Sequence, residues 1–205
     1  MWREKSLNNY LDKLASRSPV PGGGSAAALL GALAAALASM TANFTLGKPK
    51  YKKVEKSITK ILKKAENLRE RLSQLAEEDS IVYTEVSQAY RLRPEGKERD
   101  KVVSKALRQA SKVPFEVVGL SFQLLKLNEE LASKGNRNLI SDVGVSVIFS
   151  LAALETAILN VEINLSGIKD KEFITGKRNT LKLFLKEGKK IEEKVVKKVE
   201  KLMKK

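Results

Sequence analysis

Apolar residues recur every three or four positions along almost the whole chain, and no stretch alternates apolar and polar residues over the length of a strand. A spacing of three and then four residues places the apolar side chains on one face of an α-helix. The pattern therefore predicts an all-α protein: a single domain over residues 1–205 that forms a bundle of about six helices, several of them long.

Glycine, proline and capping residues divide this pattern into six segments. The predicted helices cover residues 4–16, 25–46, 51–90, 97–131, 136–167 and 169–203. The first is expected to pack through Leu7, Leu11, Leu14 and Ala15. Pro114 should kink the fourth helix or make it restart, because proline has no N–H to donate and clashes with the preceding turn. Residues 91–96 are predicted to form a loop.

The most helix-favouring stretch, the alanine-rich residues 26–40, follows directly on the least helix-favouring one, the Pro/Gly turn of residues 19–25. Ser25 and Gly47 are the predicted N-cap and C-cap of this helix. Its small side chains would let other helices approach closely, so we expect it to be the buried central helix. The alanine-rich stretch is shorter than the roughly 20 residues that span a bilayer, and a buried helix of a soluble bundle is the favoured interpretation.

The three glycines of the turn, Gly22, Gly23 and Gly24, leave the backbone free of side chains just before a helix begins. Unpaired N–H groups and the positive end of the helix dipole lie at such a position, which suits an anionic or carbonyl-bearing ligand. The turn, with Ser25, is therefore a candidate binding site. The alternative is that the glycines only let the chain turn sharply before a tightly packed helix.

One carboxylate falls within the apolar stripe of the third predicted helix. That stripe consists of Ile61, Ala65, Leu68, Leu72, Leu75, Val82, Tyr83 and Val86. At about 100° per residue, Asp79 lies roughly 20° from Leu68, whereas the two preceding glutamates point to the far side and the flank. A buried carboxylate must be paired, hydrogen-bonded or protonated. Asp79 is thus either a structural residue of the core or an acid/base group with a shifted pKa.

A second polar pattern lies on the fifth predicted helix, which Asn136 or Asn138 caps. Asn138 and Asp142 are four residues apart and share a face, as do Asn160 and Asn164 near the other end. Eighteen residues, about five turns, separate Asp142 from Asn160, so one stripe carries polar groups at both ends. The stripe indicates either a polar groove or a set of interior amides with satisfied hydrogen bonds.

Composition narrows the chemistry that these candidates can perform. The chain has no histidine and no cysteine. This excludes Ser-His-Asp and Cys-His catalysis, a disulfide framework, and zinc sites built from thiolates or imidazoles. Asp, Glu, Lys, Tyr and backbone groups remain for proton transfer. The first residues contain no apolar segment of the kind found in secretion signals, so a cytoplasmic protein is expected.

The formal net charge of +15 comes from 39 Lys and Arg residues against 24 Asp and Glu residues. Such a charge attracts polyanions: nucleic acid, an acidic membrane surface, or a ligand with several carboxylates. Aromatic residues make up only 5% of the chain, which argues against recognition by base stacking. We therefore favour a lysine-rich solvated surface, as in heat-adapted proteins, and expect neither nucleic acid nor a membrane as a partner.

Several short stretches together resemble the cyclodeaminase domain of formiminotransferase-cyclodeaminase and the related bacterial methenyltetrahydrofolate cyclohydrolases. They are PVPGGGSA at 19–26, MTAN at 40–43, LGK at 46–48, ED at 78–79, AYRL at 89–92, GNRNLISDVG at 135–144 and LNVEINL at 159–165. They cover nearly the whole chain in the order of the family. The last two stretches are the most specific.

The resemblance implies a helical, homo-oligomeric domain, expected to be a homodimer, that acts on a tetrahydrofolate one-carbon derivative without a metal or nucleotide cofactor. A formiminotransferase domain is missing from these 205 residues. The implied activity is therefore only the cyclising half-reaction, with a separate formiminotransferase as an expected partner. In that half-reaction 5-formiminotetrahydrofolate becomes 5,10-methenyltetrahydrofolate and ammonia is released. The alternatives are methenyltetrahydrofolate cyclohydrolase, which uses much the same groups, and a non-catalytic helical protein that binds folate or another polyanion.

The acid/base candidates are Asp79, which its helical face indicates, and Asp142, which lies in a motif that the resemblance covers. The residues expected to hold the pterin, the one-carbon bridge or the glutamate tail are Gly22, Gly23, Gly24, Ser25, Asn43, Lys48, Asn138, Asn160 and Asn164. A polyglutamylated substrate would also match the positive charge of the chain.

Overall fold

The computed structural model describes residues 4–92 and 96–204, and it consists of helices joined by short turns. Within these ranges the seven α-helices are α1 (Leu7–Ala15), α2 (Gly23–Asn43), α3 (Glu55–Tyr90), α4 (Lys97–Ala110), α5 (Lys112–Lys134), α6 (Ile140–Ser166) and α7 (Lys171–Met203). Short 3-10 turns, Pro49–Val54 and Arg137–Leu139, precede α3 and α6. The described ranges contain no strand, and the predicted all-α bundle is confirmed. Of the loop predicted over residues 91–96, residues 93–95 lie outside the described part of the chain.

The fourth predicted helix is two helices, which raises the count from six to seven. α4 ends at Ala110 and α5 begins at Lys112, with the buried Ser111 between them. Pro114 is the third residue of α5. A backbone N–H at that position would have no partner within the helix, so the missing proline donor costs nothing there. The predicted restart at Pro114 is confirmed, and the break itself lies just upstream of the proline.

α2 begins two residues earlier than predicted, at Gly23 instead of Ser25. Its N-cap is Gly22 in an extended conformation, so the prediction of Ser25 as N-cap is wrong. Ser25 lies in the first turn of the helix, is fully buried, and shares a hydrogen bond of 3.1 Å with the hydroxyl of Tyr10. Glycines can form the entry to the helix at this crowded point because they bring no side chain.

The other end of α2 also differs from the prediction. The helix ends at Asn43 with Phe44 as its C-cap, so Gly47 is not the cap residue. Gly47 adopts a left-handed conformation, with a φ of 71°, in the turn that follows. Glycine is used here to redirect the chain after the helix, because the left-handed region is open to a residue without a Cβ.

α1 packs through a different face from the predicted one. Leu7 and Leu11 are 65% and 48% exposed, whereas Tyr10 is buried. Leu14 is half-buried and Ala15 is exposed. Tyr10 can be buried because its hydroxyl finds a partner on α2, which a buried hydroxyl needs. Hydrogen bonding, which the apolar pattern does not encode, therefore decides the orientation of this helix.

The alanine-rich α2 packs against α3, α5 and α6, as predicted for the central helix. The buried residues on its packed sides are Gly24, Ser25, Ala27, Ala28, Gly31, Ala32, Ala34, Ala35, Ala38, Ser39, Thr41 and Ala42. At Gly31 the neighbouring helix comes so close that a Cβ would lie 3.2 Å from the methyl carbons of Leu72. The remaining side of α2 is open, with Leu33 49% and Phe44 55% exposed. The helix is therefore central without being enclosed.

α2 and α6 run antiparallel. Three contacts along their length establish this: Gly23 with Asn160, Ala34 with Ser146, and Thr45 with Asn136. We call the end formed by residues 22–25 and 160–164 the glycine end, and the end formed by residues 43–48 and 136–142 the asparagine end. The two ends are about 30 Å apart, the length of a 21-residue helix.

By length and composition alone, α2 and the stretch Arg137–Ser166 could each cross a membrane. In the bundle, 61% and 44% of their most apolar windows are buried by other parts of the chain. Core helices of soluble proteins have the same composition, because a helix that is apolar on most sides is suited to either environment. The expectation that the chain does not bind a membrane stays a prediction.

The close packing at Gly31 predicts a strong effect of a larger side chain there. Leucine at position 31 must displace Leu72, and overpacking of this kind costs about 1–3 kcal/mol of folding free energy. Gly119 in α5 is the matched control, since no atom lies within 4 Å of the position that its Cβ would take. Gly119→Leu should leave stability unchanged or raise it by up to about 1 kcal/mol through helix propensity. Urea unfolding followed by circular dichroism compares the two variants, and equal stabilities would contradict the packing of α2 on α3.

Candidate active site

A cavity of about 400 Å³ opens at the glycine end of the bundle. Its walls come from the turn before α2, the second half of α3, the end of α4 and the end of α6. Six of the predicted site residues line it: Gly22, Gly23, Gly24, Asp79, Asn160 and Asn164. The structure thus brings together residues that are far apart in the sequence, and the glycine turn forms part of a cavity wall.

Asp79 projects from α3 toward the first turn of α2, where its carboxylate accepts the backbone N–H of Ser25. The two helices are so close that a Cβ on Gly24 would collide with the carboxylate oxygens. Burial raises the pKa of Asp79 above its ordinary value, and the hydrogen bond from Ser25 offsets part of the increase. No described lysine or arginine forms an ion pair with it. Such a carboxyl group binds a proton more readily than a solvated aspartate, which suits it to acid/base chemistry.

Tyr10 of α1 and Ser25 form a hydrogen-bonded pair behind Asp79. Their hydroxyls are 3.1 Å apart, and the N–H of Ser25 donates to the Asp79 carboxylate. Burial raises the pKa of Tyr10, the bond to Ser25 opposes this, and the charge of Asp79 adds to the increase. Ser25 is therefore a backbone donor to Asp79 and does not line the cavity with its side chain. Tyr10 is not a predicted site residue, because nothing in its local sequence marks it as facing α2.

Asn160 and Asn164 present oxygen atoms to the cavity. Each side-chain N–H donates to α6 itself, Asn160 to the Thr156 carbonyl and Asn164 to the Asn160 carbonyl, both at 2.9 Å. The Oδ1 of Asn160 lies 3.6 Å from the position of a Cβ on Gly23. Neither carboxamide oxygen accepts a hydrogen bond from a described residue, so both can accept from N–H groups of a ligand. At this end, the polar stripe of α6 is therefore a groove.

The remaining wall of the cavity is mainly apolar and aromatic. The α3 stripe is predicted to face the core, and this is correct for all of its members except Tyr83, which is 49% exposed. Val82 and Val86 pack partly against the core and, together with Tyr83, also line the cavity. Tyr90 and Ile163 complete this wall, and neither is a predicted site residue. Apolar and aromatic surface with a few polar groups is typical of sites for small organic ligands.

The other predicted site residues lie at the asparagine end. Asn43, Lys48 and Asn138 are exposed there, and Asp142 is half-buried in the first turn of α6. The carboxylate of Asp142 has no hydrogen bond or ion pair with any described residue. Within one chain the two candidate acid/base groups are therefore about 30 Å apart. The structure does not bring these four residues into the cavity.

At the asparagine end, Asn136 connects the segment that precedes α6 to the turn that follows α2. Its backbone N–H donates to the Thr45 hydroxyl at 2.9 Å, and its side-chain amide donates to the Phe44 carbonyl at 3.0 Å. Its Oδ1 accepts the Asn138 N–H at 3.1 Å. Asn136 caps the 3-10 turn that precedes α6, whereas the N-cap of α6 itself is Leu139, so the prediction that Asn136 or Asn138 caps this helix is correct only for its leading turn. Since Asn136 satisfies the backbone, the side chain of Asn138 stays exposed.

A larger cavity, about 770 Å³, lies on the other side of α3 and α4 and reaches α7. Lys105, Lys112 and Lys177 line it, and none of the three pairs with a carboxylate of a described residue. The pKa of Lys177 is lowered, first by burial and then by the positive charge of Lys112. This cavity contains no predicted site residue and no buried carboxylate. Its one carboxylate among the described residues, that of Glu85, is exposed, whereas the smaller cavity contains Asp79 with its raised pKa, so we assign the chemistry to the smaller cavity.

No group of three or more metal-binding side chains is placed to hold an ion within residues 4–92 and 96–204. The polar residues that line the smaller cavity are Asp79, Asn160, Asn164, Ser166 and the two tyrosines Tyr83 and Tyr90, beside the backbone of the glycine turn. These groups can transfer a proton and hold a ligand by hydrogen bonds. The predicted absence of a metal or nucleotide cofactor stays a prediction.

The chain is similar to known proteins over most of its length. A family model described as formiminotransferase-cyclodeaminase matches residues 6–182. The methenyltetrahydrofolate cyclohydrolase of Methylorubrum extorquens is 37% identical over 196 residues, which cover 93% of this chain and 94% of that protein. The formimidoyltransferase-cyclodeaminase of Rattus norvegicus is 30% identical over 194 residues, which cover 91% of this chain and 35% of that protein.

A crystal structure has the same fold. The formiminotetrahydrofolate cyclodeaminase from Thermotoga maritima matches with a TM-score of 0.84 and 32% sequence identity, over 100% of this chain and 98% of that one. The chain is thus similar in length to the two bacterial proteins, and it spans about a third of the rat protein.

The raised pKa of Asp79 predicts how its replacement changes stability with pH. The folded chain binds this proton more tightly than the unfolded chain does. Wild-type stability therefore falls as the pH rises from the ordinary Asp pKa of 3.8 through the folded-state pKa. Asp79→Asn removes the ionisation but keeps an acceptor for the Ser25 N–H. We expect its melting temperature to exceed that of the wild type at about pH 7, by roughly 2–4 °C for each kcal/mol regained.

The two melting temperatures should converge as the pH falls to about 3, where the wild-type carboxyl is mostly protonated in both states. Differential scanning calorimetry over this pH range measures the difference. A variant that melts below the wild type at neutral pH would show that the charged carboxylate stabilises the core, contrary to the effect of burial on its pKa.

Proposed function

The chain belongs to the formiminotransferase-cyclodeaminase family, and from this premise we propose that it is a formiminotetrahydrofolate cyclodeaminase. The observation that carries the proposal is the position of Asp79, a carboxyl with a raised pKa between the glycine turn and the first N–H groups of α2. The family supports a tetrahydrofolate one-carbon derivative as the substrate. The Thermotoga maritima protein with the same fold has this name.

In the proposed reaction, N10 of 5-formiminotetrahydrofolate attacks the formimino carbon on N5. A new bond forms between this carbon and N10, N10 loses its proton, and the bond from the carbon to the formimino nitrogen breaks to release ammonia. The product is the 5,10-methenyl cation. If the formimino group starts protonated, the proton lost by N10 equals the proton gained by the leaving nitrogen. The site must therefore both accept one proton and return one.

We assign this proton transfer to Asp79. As a carboxylate it can accept the N10 proton, and as a carboxylic acid it can deliver a proton to the leaving nitrogen, a step that its raised pKa favours. The N–H groups of the glycine turn and the oxygens of Asn160 and Asn164 would orient the pterin, which has both carbonyl and N–H groups. The apolar wall would contact the flat faces of its ring.

A methenyltetrahydrofolate cyclohydrolase is the second candidate function. The Methylorubrum extorquens relative supports it, because that protein has this name and the match covers 94% of its length, against 35% for the rat protein. In this reaction water adds to the methenyl carbon while Asp79 takes a proton from it. One of the two bonds from this carbon to nitrogen then breaks, the released nitrogen gains a proton, and a formyl group remains on the other nitrogen. The two reactions share the methenyl compound, so one cavity can serve both.

We further propose that the protein acts in the cytoplasm as a homodimer without a metal or nucleotide cofactor, and that a separate formiminotransferase supplies its substrate. A chain without cysteine fits a reducing compartment, where disulfides do not form. If the chain turned over neither compound, the remaining function would be non-catalytic binding of folate or another polyanion.

We propose that the larger cavity binds the carboxylates of a polyglutamylated substrate. The positive charge of Lys112 contributes to the lowered pKa of Lys177, and an anion between these two lysines would relieve their repulsion. Lys105 adds a third positive charge to the same cavity. The cavity lies across α3 and α4 from Asp79, so it would take the end of the tail while the pterin occupies the smaller cavity.

Two assays on one preparation test the proposed reactions. With 5-formiminotetrahydrofolate, ammonia release and methenyl absorbance should rise together, and hydrolysis of 5,10-methenyltetrahydrofolate measures the cyclohydrolase activity. Asp79→Asn should lower kcat by about 10²–10⁴-fold, the usual contribution of a positioned acid/base group. No turnover of either compound above the uncatalysed rate would refute both enzymatic functions. Salt-dependent retention on DNA, without a folate-induced rise in melting temperature, would then favour polyanion binding.

The lysines of the larger cavity predict a dependence on tail length. Lys112→Gln should raise KM for a pentaglutamate substrate by about tenfold, equivalent to roughly 1.4 kcal/mol, with little change for the monoglutamate. Lys189→Gln is the matched control, because it removes the same charge from a lysine that pairs with Glu155 on α6. Steady-state kinetics with both substrates makes the comparison. Equal losses for the two substrates would show that Lys112 does not contact the tail.

A further inference from the structure

Two exposed apolar faces adjoin on α2 and α6. Their exposed members, between 41% and 69% accessible, are Leu33, Phe44, Val145, Ile148, Leu159 and Ile163. We call this surface the α2–α6 face. A contiguous apolar patch larger than roughly a few hundred Å² usually marks an interaction site on a soluble protein. We therefore expect another molecule to cover the α2–α6 face.

Both apolar faces point to the same side of the bundle. Ser146 donates to the Ala34 carbonyl, so these two residues mark where the helices touch. Leu33 and Val145 each precede a contact residue by one position, which is a turn of about 100° around the helix axis. Because the two helices are antiparallel, these two turns lead to the same side. The exposed residues thus form one surface across both helices.

The two ends of the α2–α6 face carry complementary groups. The cavity at the glycine end contains Asp79, and no described lysine or arginine lines it. At the asparagine end Lys48 and Arg137 are exposed, and neither pairs with a carboxylate of a described residue. The unpaired carboxyl of Asp142 lies at the same end. The asparagine end thus has two cations and a second carboxyl group, and the cavity at the glycine end has neither among its described residues.

We propose that two copies of the chain pack through the α2–α6 face with opposite ends together, and that Asp142 of each copy completes the glycine-end cavity of the other. This rests on the proposed function, because Asp142 then supplies a second acid/base group for the same reaction. The occupant of the apolar face is a second copy of this chain, and the cavity is incomplete without it.

A two-fold axis in the interface gives this arrangement. With the two α6 helices antiparallel, the axis crosses α6 near Ala152, midway between Val145 and Leu159. Each residue of one α6 then faces the residue equally far from Ala152 on the other copy. Asp142 lies ten residues before Ala152, so it is level with Glu162 of the other copy, at the centre of the stretch 160–164 that contains both asparagines of the cavity wall. Self-complementary contacts of this kind are the rule for two-fold dimers.

The reverse arrangement, with like ends together, is disfavoured by charge. It would bring Lys48 and Arg137 of both copies to one edge, where these unpaired cations repel one another. Opposite ends together instead place the cations beside a cavity that holds a carboxyl and would receive an anionic substrate. Charge therefore selects the arrangement that unites the two aspartates.

With both carboxyls at one cavity, the two proton transfers are divided between them. One aspartate, as a carboxylate, accepts the proton of N10. The other, as a carboxylic acid, gives a proton to the nitrogen that leaves as ammonia. Transfer of a proton between the two carboxyls after product release restores the starting state. The number of protons is conserved over the cycle, and no further reactant is needed.

Mixed dimers test this inference. Chains with Asp79→Asn and with Asp142→Asn are co-expressed with different affinity tags, and the mixed dimer is purified through both tags. It has one cavity with both aspartates and one with neither, so it should have about half of the wild-type activity, while each singly substituted homodimer is inactive. The matched control pairs the Asp142→Asn chain with a doubly substituted chain. That dimer has no intact cavity and should be inactive.

An inactive mixed dimer, or full activity of the Asp142→Asn homodimer, would overturn the inference. Lack of turnover by the wild type would instead refute the proposed function. Circular dichroism and melting temperatures of each dimer show whether the variants are folded.

Cross-linking tests the packing without any activity. The chain contains no cysteine, so Ala152→Cys introduces a single thiol that faces its own copy across the axis. Oxidation should link the two chains of this dimer, whereas Asn179→Cys, at an exposed position of α7, should stay unlinked. Ile148→Glu should produce monomers in sedimentation experiments, because it buries a charge in the interface. A monomeric wild type, or one whose apolar face binds phosphatidylcholine vesicles instead of a second copy, would overturn the inference.

Discussion

The contact between Asp79 and the first turn of α2 is the constraint around which the glycine end is built. The carboxylate reaches the Ser25 N–H only because Gly24 has no side chain in its way. The same contact removes the carboxyl from water, which raises its pKa, and provides one backbone donor, which limits the increase. Close helix packing and acid/base character therefore have a common cause, the absence of a Cβ at one position of α2.

The antiparallel pairing of α2 and α6 distributes the polar residues of the chain between two distant ends. A 21-residue helix separates the glycine turn from Asn43, so residues that the family motifs group together cannot all serve one cavity within one chain. The same pair of helices has an uncovered apolar side, and that side joins the two ends. The uncovered apolar side of α2 and α6 is therefore the part of the fold that connects the two groups of polar residues.

The apolar period was sufficient to predict the helices, because it reports burial, and to single out Asp79 by its position on the α3 stripe. It could not predict that Ser25 is buried opposite Tyr10, since a hydroxyl can bond across helices as well as to its own backbone. It also could not separate the core residues of α3 from the wall residue Tyr83, because both have the same period. The distance from Asp79 to Asp142 depends on where neighbouring helices end, and spacing within one helix does not encode it.

The raised pKa of Asp79 also affects which mutations are tolerated at this position during evolution. The partly buried carboxyl of Asp79 has a raised pKa and therefore lowers stability at neutral pH, and natural chains have little stability in excess of what they need. Mutation without selection for the reaction therefore favours an uncharged residue at this position. Selection for the chemistry of the cavity has to act against this tendency for the aspartate to be retained. A chain with the amide there gains stability at neutral pH and loses the acid/base group, so this position separates selection for stability from selection for activity.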